Sequence, residues 1–247
     1  MRIVIHGLGR LGLAIAELAT EQKLDVVAGI DIKKKDAKNF EVFENFENCP
    51  KADVIVDSSH ADAIPQLLEN AQGLNIPLVI CTTGLSQDTL AQIQKTAETL
   101  PIFLSSNMSL GVNLVSKLAQ TATKALDGAN FDIEIIEAHH NQKLDAPSGT
   151  GLLLAQSINA AADGKYKFVF DRSHALQKRC PDEIGISAIR GGTIVGEHTI
   201  IFAGPDEVIE ITHKAASREI FARGALKAAQ FIAEKKPGLY TMDDLLN

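Results

Sequence analysis

Residues 3–12 read IVIHGLGRLG, and this stretch decides how the first part of the chain folds. Three β-branched residues predict a strand, and the glycines that follow, Gly7, Gly9 and Gly12, match the spacing GxGxxG at the start of a helical pattern. The spacing needs glycine for a tight turn, for close approach of the backbone to a pyrophosphate, and for close packing of helix on strand. N–H groups at the helix start then bind the phosphates. The stretch predicts a dinucleotide-binding turn, although the same glycines could serve only a tight turn.

An acidic residue follows at the distance that this motif requires. Asp31 ends a second apolar run, residues 26–30, and stands 19 residues after Gly12. A carboxylate there can accept hydrogen bonds from the ribose hydroxyls of the adenosine, and it repels the 2′-phosphate of NADPH. The lysines at positions 33–35 could attract that phosphate or could simply form a solvated loop. The pattern predicts NADH and/or NADPH as the cofactor.

The first hundred residues continue to alternate short apolar runs with helical patterns. Strands are predicted at residues 3–5, 26–30, 54–56, 78–80 and 102–104, and helices at residues 11–20, 61–71 and 87–100, the last with Ser86 as its N-cap. Strands that are apolar on both faces and alternate with helices form a parallel sheet covered on two sides. We therefore predict a doubly wound α/β domain.

The pattern changes after residue 110. Residues 131–136 alternate apolar and polar side chains, which is typical of a sheet with one solvated face. Further strands are predicted at residues 184–190, 193–203 and 208–213, and helices at residues 112–126, 150–162 and 217–233. This order predicts an α+β domain with a mixed sheet.

Composition narrows the class of protein. The chain has 247 residues and a formal net charge of −7, so neither nucleic acid nor an anionic membrane surface is an expected partner. Its three cysteines form no metal-ligand spacing and are expected to be reduced thiols. No apolar run approaches the length of a membrane span, and a strand-like segment follows Met1 where a signal peptide would begin. We therefore expect a cytoplasmic protein.

The most informative polar stretch is EIIEAHHNQKLDAPSGT at residues 134–150. It leaves a strand, crosses a polar loop and enters a helix, and it carries three potential cations: His139, His140 and Lys143. A helix N-terminus beside cations binds carboxylates well, and histidine can deliver a proton near neutral pH. The alternative is two surface histidines before a capped helix. No metal is expected, because the two histidines are adjacent and no further His or Cys stands at ligand spacing.

The same stretch resembles the signature of the dihydrodipicolinate reductase family, now called 4-hydroxy-tetrahydrodipicolinate reductases. That signature is ExxExHHxxKxDAPSGT, and every specified position is met. The resemblance extends along the whole chain and includes VICTTG at 79–84, SNMSLGVN at 106–113, RGGTIVGEH at 190–198, ITHKAASR at 211–218 and GLY at 238–240. Ile32 follows Asp31 where relatives that accept NADPH often carry arginine, which favours NADH.

The resemblance implies a two-domain organisation. The first domain, residues 1–109, would be a Rossmann-like parallel sheet that binds the dinucleotide and is completed by the C-terminal helix within residues 218–247. The second domain, residues 110–217, would bind a small dicarboxylate substrate and build a homotetramer.

The resemblance also implies roles for individual residues. His139 and Lys143 correspond to the catalytic acid/base histidine and the proton-donating lysine. The substrate carboxylates would be bound by His140, Ser148, Gly149 and Thr150. Motif and resemblance together assign the cofactor to Gly7, Leu8, Gly9, Arg10, Leu11, Gly12, Asp31, Cys81, Thr82, Thr83, Ser105, Ser106, Asn107 and Met108.

The implied reaction is the reduction of 4-hydroxy-tetrahydrodipicolinate to tetrahydrodipicolinate with loss of water, in the diaminopimelate route to lysine. Two alternatives stay open at this point. Another two-domain dehydrogenase of amino-acid metabolism is one, although an acyl-forming semialdehyde enzyme needs a nucleophilic cysteine and Cys81 ends an apolar strand, where its thiol would be inert. A non-catalytic redox sensor that binds the dinucleotide is the other, and it would need no proton donors in its second domain.

Overall fold

The computed structural model describes residues 1–33, 37, 39–170, 172–173 and 176–247. The chain divides into two compact units. The first unit consists of Met1–Leu110 together with Glu219–Asn247, and the second is Gly111–Arg218. Of the lysine run at 33–35, only Lys33 lies within the described residues. The assignment of cofactor binding to one unit and of substrate binding and tetramer formation to the other stays a prediction.

The first unit is built on a sheet of seven parallel strands. Its strands are β1 (Arg2–His6), β2 (Asp25–Ile30), β3 (Glu41–Phe43), β4 (Val54–Asp57), β5 (Leu78–Ile80), β6 (Pro101–Leu104) and β12 (Gly238–Tyr240). They lie in the order β12-β6-β5-β4-β1-β2-β3, and every neighbouring pair is parallel. Six of them repeat the strand order 3-2-1-4-5-6 that is typical of dinucleotide-binding sheets. The predicted doubly wound sheet is confirmed.

Helices cover both faces of this sheet. They are α1 (Arg10–Glu21), α2 (Ile64–Leu74), α3 (Gln87–Thr96), α6 (Glu219–Ile232) and α7 (Met242–Leu246). Successive residues of a strand point to opposite faces, so Ile3 and Ile5 belong to the core shared with α1 and α6, whereas Val4 belongs to the core shared with α2 and α3. The helix predicted from residue 61 is a 3₁₀ turn, Ala61–Ala63, followed by α2 with a proline in its first turn.

The second unit carries a mixed sheet, as predicted. Its strands are β7 (Asp132–His139), β8 (Lys167–Val169), β9 (Glu183–Arg190), β10 (Gly196–Ala203) and β11 (Val208–Ala215), and its helices are α4, which begins at the unit boundary (Leu110–Ala125), and α5 (Gly149–Ala161). The order is β11-β10-β7-β9-β8. β10 runs antiparallel to β7 and β11, while β9 runs parallel to β7 and β8.

The strand predicted at residues 193–203 begins three residues later, at Gly196. The cause is a turn after β9 in which Gly192 has φ +48°. None of the helices in the described parts of the chain has the length and apolar character needed to span a bilayer.

Candidate active site

The glycine-rich turn joins β1 to α1 at the carboxyl edge of the parallel sheet. Gly7 has φ +83°, and a Cβ atom there would lie 2.6 Å from Cα of Ser59. A Cβ atom at Gly12 would collide with the carbonyl oxygen of Gly7, whereas one at Gly9 would have no atom within 4 Å. The turn therefore needs glycine where the motif needs a tight turn and close packing, and it is open where a pyrophosphate must approach. A dinucleotide fits these residues.

The position of the turn in the sheet points to the same ligand. β1 lies between β2 and β4, so the strand order reverses beside the glycines. Open α/β sheets bind ligands at this reversal, outside the carboxyl ends of the strands. Gly9 is the N-cap of α1, the helix has no acidic residue in its first turn, and no side chain caps it. An anion can therefore approach the start of the helix.

Asp31, the predicted ribose-binding acid, is held in place by a hydrogen bond from the glycine-rich turn. One carboxylate oxygen, Oδ2, accepts the N–H of Leu8 at 2.8 Å, and Oδ1 accepts the N–H of Lys33 at 2.9 Å. The carboxylate is thereby held just after the carboxyl end of β2, where the motif places the acid that faces the adenosine ribose. Leu8 has no exposed surface, and its side chain packs in the core shared with α1 and α6.

The other predicted cofactor residues follow neighbouring strands of the same sheet. Arg10 and Leu11 begin α1, residues 81–83 follow β5, and residues 105–108 follow β6. Because the carboxyl ends of parallel strands meet at one edge, these segments lie along the edge that carries the glycines. Their side chains differ in exposure: Cys81, Thr82, Asn107 and Met108 are buried, whereas Thr83 and Ser106 are exposed. Burial, assisted by the nearby charge of Asp57, strongly raises the pKa of the Cys81 thiol, so it is no nucleophile.

In the second unit, the fully buried carboxylate of Glu137 lies near the carboxyl end of β7. Oε2 of Glu137 lies 2.6 Å from Nδ1 of His139, the last residue of β7. Arg190, the last residue of β9, donates to both carboxylate oxygens, from Nη1 at 2.8 Å and from Nη2 at 2.7 Å. The backbone N–H of Ser148 donates to Oε1 at 3.0 Å. One carboxylate therefore joins the ends of two strands to the start of α5.

These contacts decide the charges of the pair. Burial would raise the pKa of Glu137, but hydrogen bonds from Arg190, His139 and the Ser148 N–H outweigh it and leave that pKa below its ordinary value. Burial lowers the pKa of His139, and the nearby Glu137 only partly offsets this effect. Glu137 is therefore ionised and His139 neutral near pH 7. Because an ionised carboxylate only accepts, Nδ1 of His139 carries the proton and Nε2 is an acceptor.

A second histidine packs against the first. The ring of His198 on β10 lies edge-on to the ring of His139, with centroids 5.2 Å apart. Its Nε2 atom lies 3.1 Å from Oγ of Ser148, and that oxygen also accepts the N–H of Gly151 as the N-cap of α5. Burial, followed by the effect of His139, lowers the pKa of His198 to about 4. His198 is therefore neutral, and Ser148 caps the helix from a buried position.

Two cations, Lys143 and Arg218, lie at this loop, in which Lys143 and His140 are half-buried. Nζ of Lys143 lies 2.9 Å from Oδ1 of Asp145, and this hydrogen bond lowers the pKa of Asp145. Nε2 of His140 accepts a hydrogen bond from Nη2 of Arg218 at 2.9 Å. The first turn of α5 follows directly, with Gly149 exposed and Thr150 half-buried. Cations and a helix N-terminus in one segment form a surface suited to carboxylates.

Sequence reasoning missed several residues of this site: Glu137, Arg190, Gly196, His198 and Arg218. Strand register brings most of them together, since His139 pairs with Arg190 and Glu137 pairs with His198. A Cβ atom at Gly196 would lie 3.0 Å from Nε2 of His139, so glycine there leaves room for the ring. All five stand in segments that resemble the family, which was the only available signal.

A sheet of the dinucleotide-binding type and a second unit with a buried acid–histidine pair beside a lysine define a two-unit oxidoreductase of the dinucleotide-binding class. Comparison with known proteins identifies the kind. The family model described as dihydrodipicolinate reductase, N-terminus, matches residues 1–108, and the model described as its C-terminus matches residues 111–246. The chain belongs to the dihydrodipicolinate reductase family.

Individual relatives agree with this assignment. The chain is 49% identical to the 4-hydroxy-tetrahydrodipicolinate reductase of Caldanaerobacter subterraneus subsp. tengcongensis, over 100% of this chain and 98% of the relative. It is 50% identical to that of Clostridium botulinum, with the same coverage. A solved structure, dipicolinate-bound dihydrodipicolinate reductase from Paenisporosarcina sp. TG-14, superposes with a TM-score of 0.82 at 26% identity, covering 98% of this chain and 97% of that one.

Proposed function

We propose that this chain catalyses the NAD(P)H-dependent reduction of 4-hydroxy-tetrahydrodipicolinate to tetrahydrodipicolinate with loss of water, in the diaminopimelate route to lysine. The observation that carries the proposal is the buried Glu137–His139 pair beside Lys143, set within the family's signature segment. The relatives' names and the dipicolinate-bound structure support a cyclic dicarboxylate as substrate.

The first unit would bind the cofactor through the glycine turn, Asp31 and the loops after β5 and β6. When bound, NAD(P)H supplies the hydride, and the chain supplies binding, orientation and charge. We propose that NADH binds at least as tightly as NADPH. Asp31 offers a carboxylate to the ribose hydroxyls, and the next residue, Ile32, is 88% exposed and offers no cation to a 2′-phosphate.

The second unit would bind the substrate. Lys143 and His140, with the N–H groups and hydroxyl of Gly149 and Thr150, suit two carboxylates. The net charge of the chain is −7, so a dianion needs such a local group of donors. Ser148 would contribute mainly by capping α5 and by holding Glu137, since its side chain is buried.

The two catalytic candidates would then divide the proton chemistry. Loss of water removes a proton from the carbon beside C4, and neutral His139 can accept it on Nε2. Lys143, as a cation, can give a proton to the departing hydroxyl, which leaves as water, and the neutral amine then takes up a proton from solvent. After the hydride reaches C4, the proton on Nε2 of His139 can return to the same carbon, so no net proton stays on His139. Glu137 and Arg190 are positioning residues in this scheme, because they hold the His139 ring without reaching its Nε2 atom.

We also propose that the chain forms a cytoplasmic homotetramer. Of the two long strands β10 and β11, β10 lies inside the sheet and β11 forms its edge on that side. Val208, at the start of β11, is 60% exposed. Long exposed edges tend to be covered, and a symmetric contact between copies would cover this one. Light scattering at assay concentration tests it, and a monomer would contradict it.

A coupled assay tests the reaction. Aspartate semialdehyde, pyruvate and the preceding synthase generate the substrate, and the loss of NADH absorbance reports turnover. Omitting the synthase is the control, and oxidation of NADH should then stop. Binding of NADH without synthase-dependent oxidation would instead favour a redox sensor. NADH oxidation that needs a different amino-acid precursor would favour another dehydrogenase.

A further inference from the structure

A second buried carboxylate lies in the first unit, outside the glycine motif. Asp57 ends β4 and has no exposed surface. Its Oδ1 atom lies 2.8 Å from Nδ1 of His6 and accepts bonds from Ser59, from Oγ at 2.6 Å and from the N–H at 3.2 Å. Its Oδ2 atom accepts the hydroxyl of Thr82 at 2.6 Å. Burying a carboxylate costs free energy that burying an apolar side chain would not cost. The presence of Asp57 here therefore indicates that it holds other groups in position.

The partners of Asp57 lie at the carboxyl ends of three different strands of the sheet. His6 precedes the glycine turn, Ser59 follows β4, and Thr82 follows β5. A second bond strengthens the connection, because Oγ of Ser58 donates to the carbonyl oxygen of Gly7 at 2.9 Å. The carboxylate therefore holds together the loops on both sides of the strand-order reversal, where a dinucleotide would lie.

We propose that Asp57 is a positioning residue for the nicotinamide half of the cofactor, acting through Thr82 and Ser59. The inference rests on the proposed function. In a doubly wound sheet, β1 to β3 carry the half-site with the glycines and Asp31, and β4 to β6 carry the other half-site. Asp57 and Thr82 follow strands of the second half. Since Asp57 is fully buried, it acts through the hydroxyls that it orients.

The same pair of strands offers a matched control at its other end. Asp53 immediately precedes β4 and accepts hydrogen bonds from Arg2 on β1, from the backbone N–H at 2.7 Å and from Nη2 at 3.0 Å. Like Asp57, it is an aspartate that joins β1 to β4. It stands, however, at the amino ends of the strands, where no ligand is expected.

The test compares NADH with ADP, which has the adenosine and pyrophosphate but no nicotinamide. Asp57→Asn replaces one acceptor oxygen with a donor that opposes the hydroxyl groups. We expect its Kd for NADH to rise about tenfold, as loss of a hydrogen bond to a charged group predicts. Its Kd for ADP should stay within about twofold of wild type, a change too small to count as a lost contact. Asp53→Asn should change neither constant. Calorimetric titration of the full-length protein measures all of them.

A second variant keeps the inference testable if Asp57→Asn does not fold. Thr82→Val removes only the hydrogen bond to Oδ2 of Asp57. It too should raise the Kd for NADH and leave the Kd for ADP unchanged. Where both single variants fold, the variant that carries both substitutions should have a Kd for NADH no higher than the larger of the two single-variant values. The reason is that the two substitutions remove the same hydrogen bond. Equal losses of NADH and ADP affinity, unchanged NADH affinity, or the same effect from Asp53→Asn would each overturn the inference. If the wild-type chain bound neither NADH nor NADPH, the proposed function itself would be overturned.

Discussion

Each unit buries one carboxylate against a histidine, and the two carboxylates differ in what else they hold. Asp57 accepts bonds from hydroxyl groups and a backbone N–H, whereas Glu137 accepts a bidentate pair from Arg190. Hydroxyl groups are oriented by such a contact and stay neutral, which suits binding. The Arg190 pair keeps Glu137 ionised, so it can fix the proton on Nδ1 of His139, which suits proton chemistry. We therefore expect the same kind of buried group to serve cofactor binding in the first unit and proton chemistry in the second.

The variant with the largest expected effect, Lys143→Ala, distinguishes most clearly between the roles of the two units. Lys143→Ala removes the cation that would donate a proton and pair with a carboxylate, so kcat should fall by about 10²–10⁴-fold. The Kd for NADH should stay unchanged, because the dinucleotide would bind the other unit. Lys167→Ala is the control, since that side chain is 81% exposed and forms only a loose ion pair with Asp182. Near-normal kcat in Lys143→Ala, measured by steady-state kinetics, would remove Lys143 from the catalytic role.

His139→Gln should lower kcat by about 10²-fold through the loss of a base, with NADH affinity unchanged. Burial lowers the pKa of His139 below its ordinary 6.5, so the wild-type acid limb of kcat, where His139 becomes protonated, should lie below pH 6.5. A pH profile of kcat measures this, and the limb should disappear in the variant. An acid limb that persists unchanged would assign it to another group.

Glu137→Gln tests the carboxylate that holds the His139 ring. The amide can donate to Nδ1 of His139 and so move the ring proton to Nε2, and kcat should fall about tenfold or more while NADH affinity stays. Glu134→Gln, on the same strand and also paired with arginines, should keep kcat. If Glu137→Gln instead raised the Kd for NADH, as Asp57→Asn is expected to do, the proposed difference between the two carboxylates would be contradicted.

The same variant should also change how the stability of the fold depends on pH. The pKa of Glu137 is lowered in the folded chain, so its contribution is present above the ordinary value of 4.5 and is lost as pH falls below it. Thermal unfolding followed from pH 7 downward should show a decline below pH 4.5 that is smaller in Glu137→Gln. At pH 7 the variant should be the less stable protein, because Arg190 loses a charged partner.

Thr150→Val sharpens the contrast between binding and chemistry within the second unit. Loss of a hydroxyl that would bind a substrate carboxylate should raise KM about fivefold to tenfold, with little change in kcat. Thr121→Val, on the exposed side of α4, is the control and should leave KM unchanged. A fall in kcat with normal KM would place Thr150 in the chemical step.

The smallest effect concerns the cofactor. NADH should bind at least as tightly as NADPH, and the difference should be small, because interactions of exposed charges contribute only about 0–1 kcal/mol. Parallel calorimetric titrations at low and moderate salt measure it. A clear preference for NADPH at low salt would mean that nearby cations outweigh the Asp31 carboxylate.

The elements with a strong repeating pattern were predicted well. The central strands β1, β2 and β4 are apolar on both faces, and Ser86 caps α3 as its position indicated. Four short elements were missed: β3, β8, β12 and α7. A segment of three to five residues shows no periodicity, and such strands form because a neighbouring strand already offers hydrogen-bonding partners.

The sequence by itself determined the fold class and the family, and it predicted which residues carry chemistry: the glycines of the turn, Asp31, and the loop with His139 and Lys143. These could be found because each function needs particular side chains at short spacing along one segment. Only the tertiary structure decided how they are held. Arg190 meets Glu137 from 53 residues away, and Asp57 meets Thr82 from 25 residues away. Strand register and loop packing create those contacts, and the burial that moves the pKa of His139 exists only once the sheet has formed.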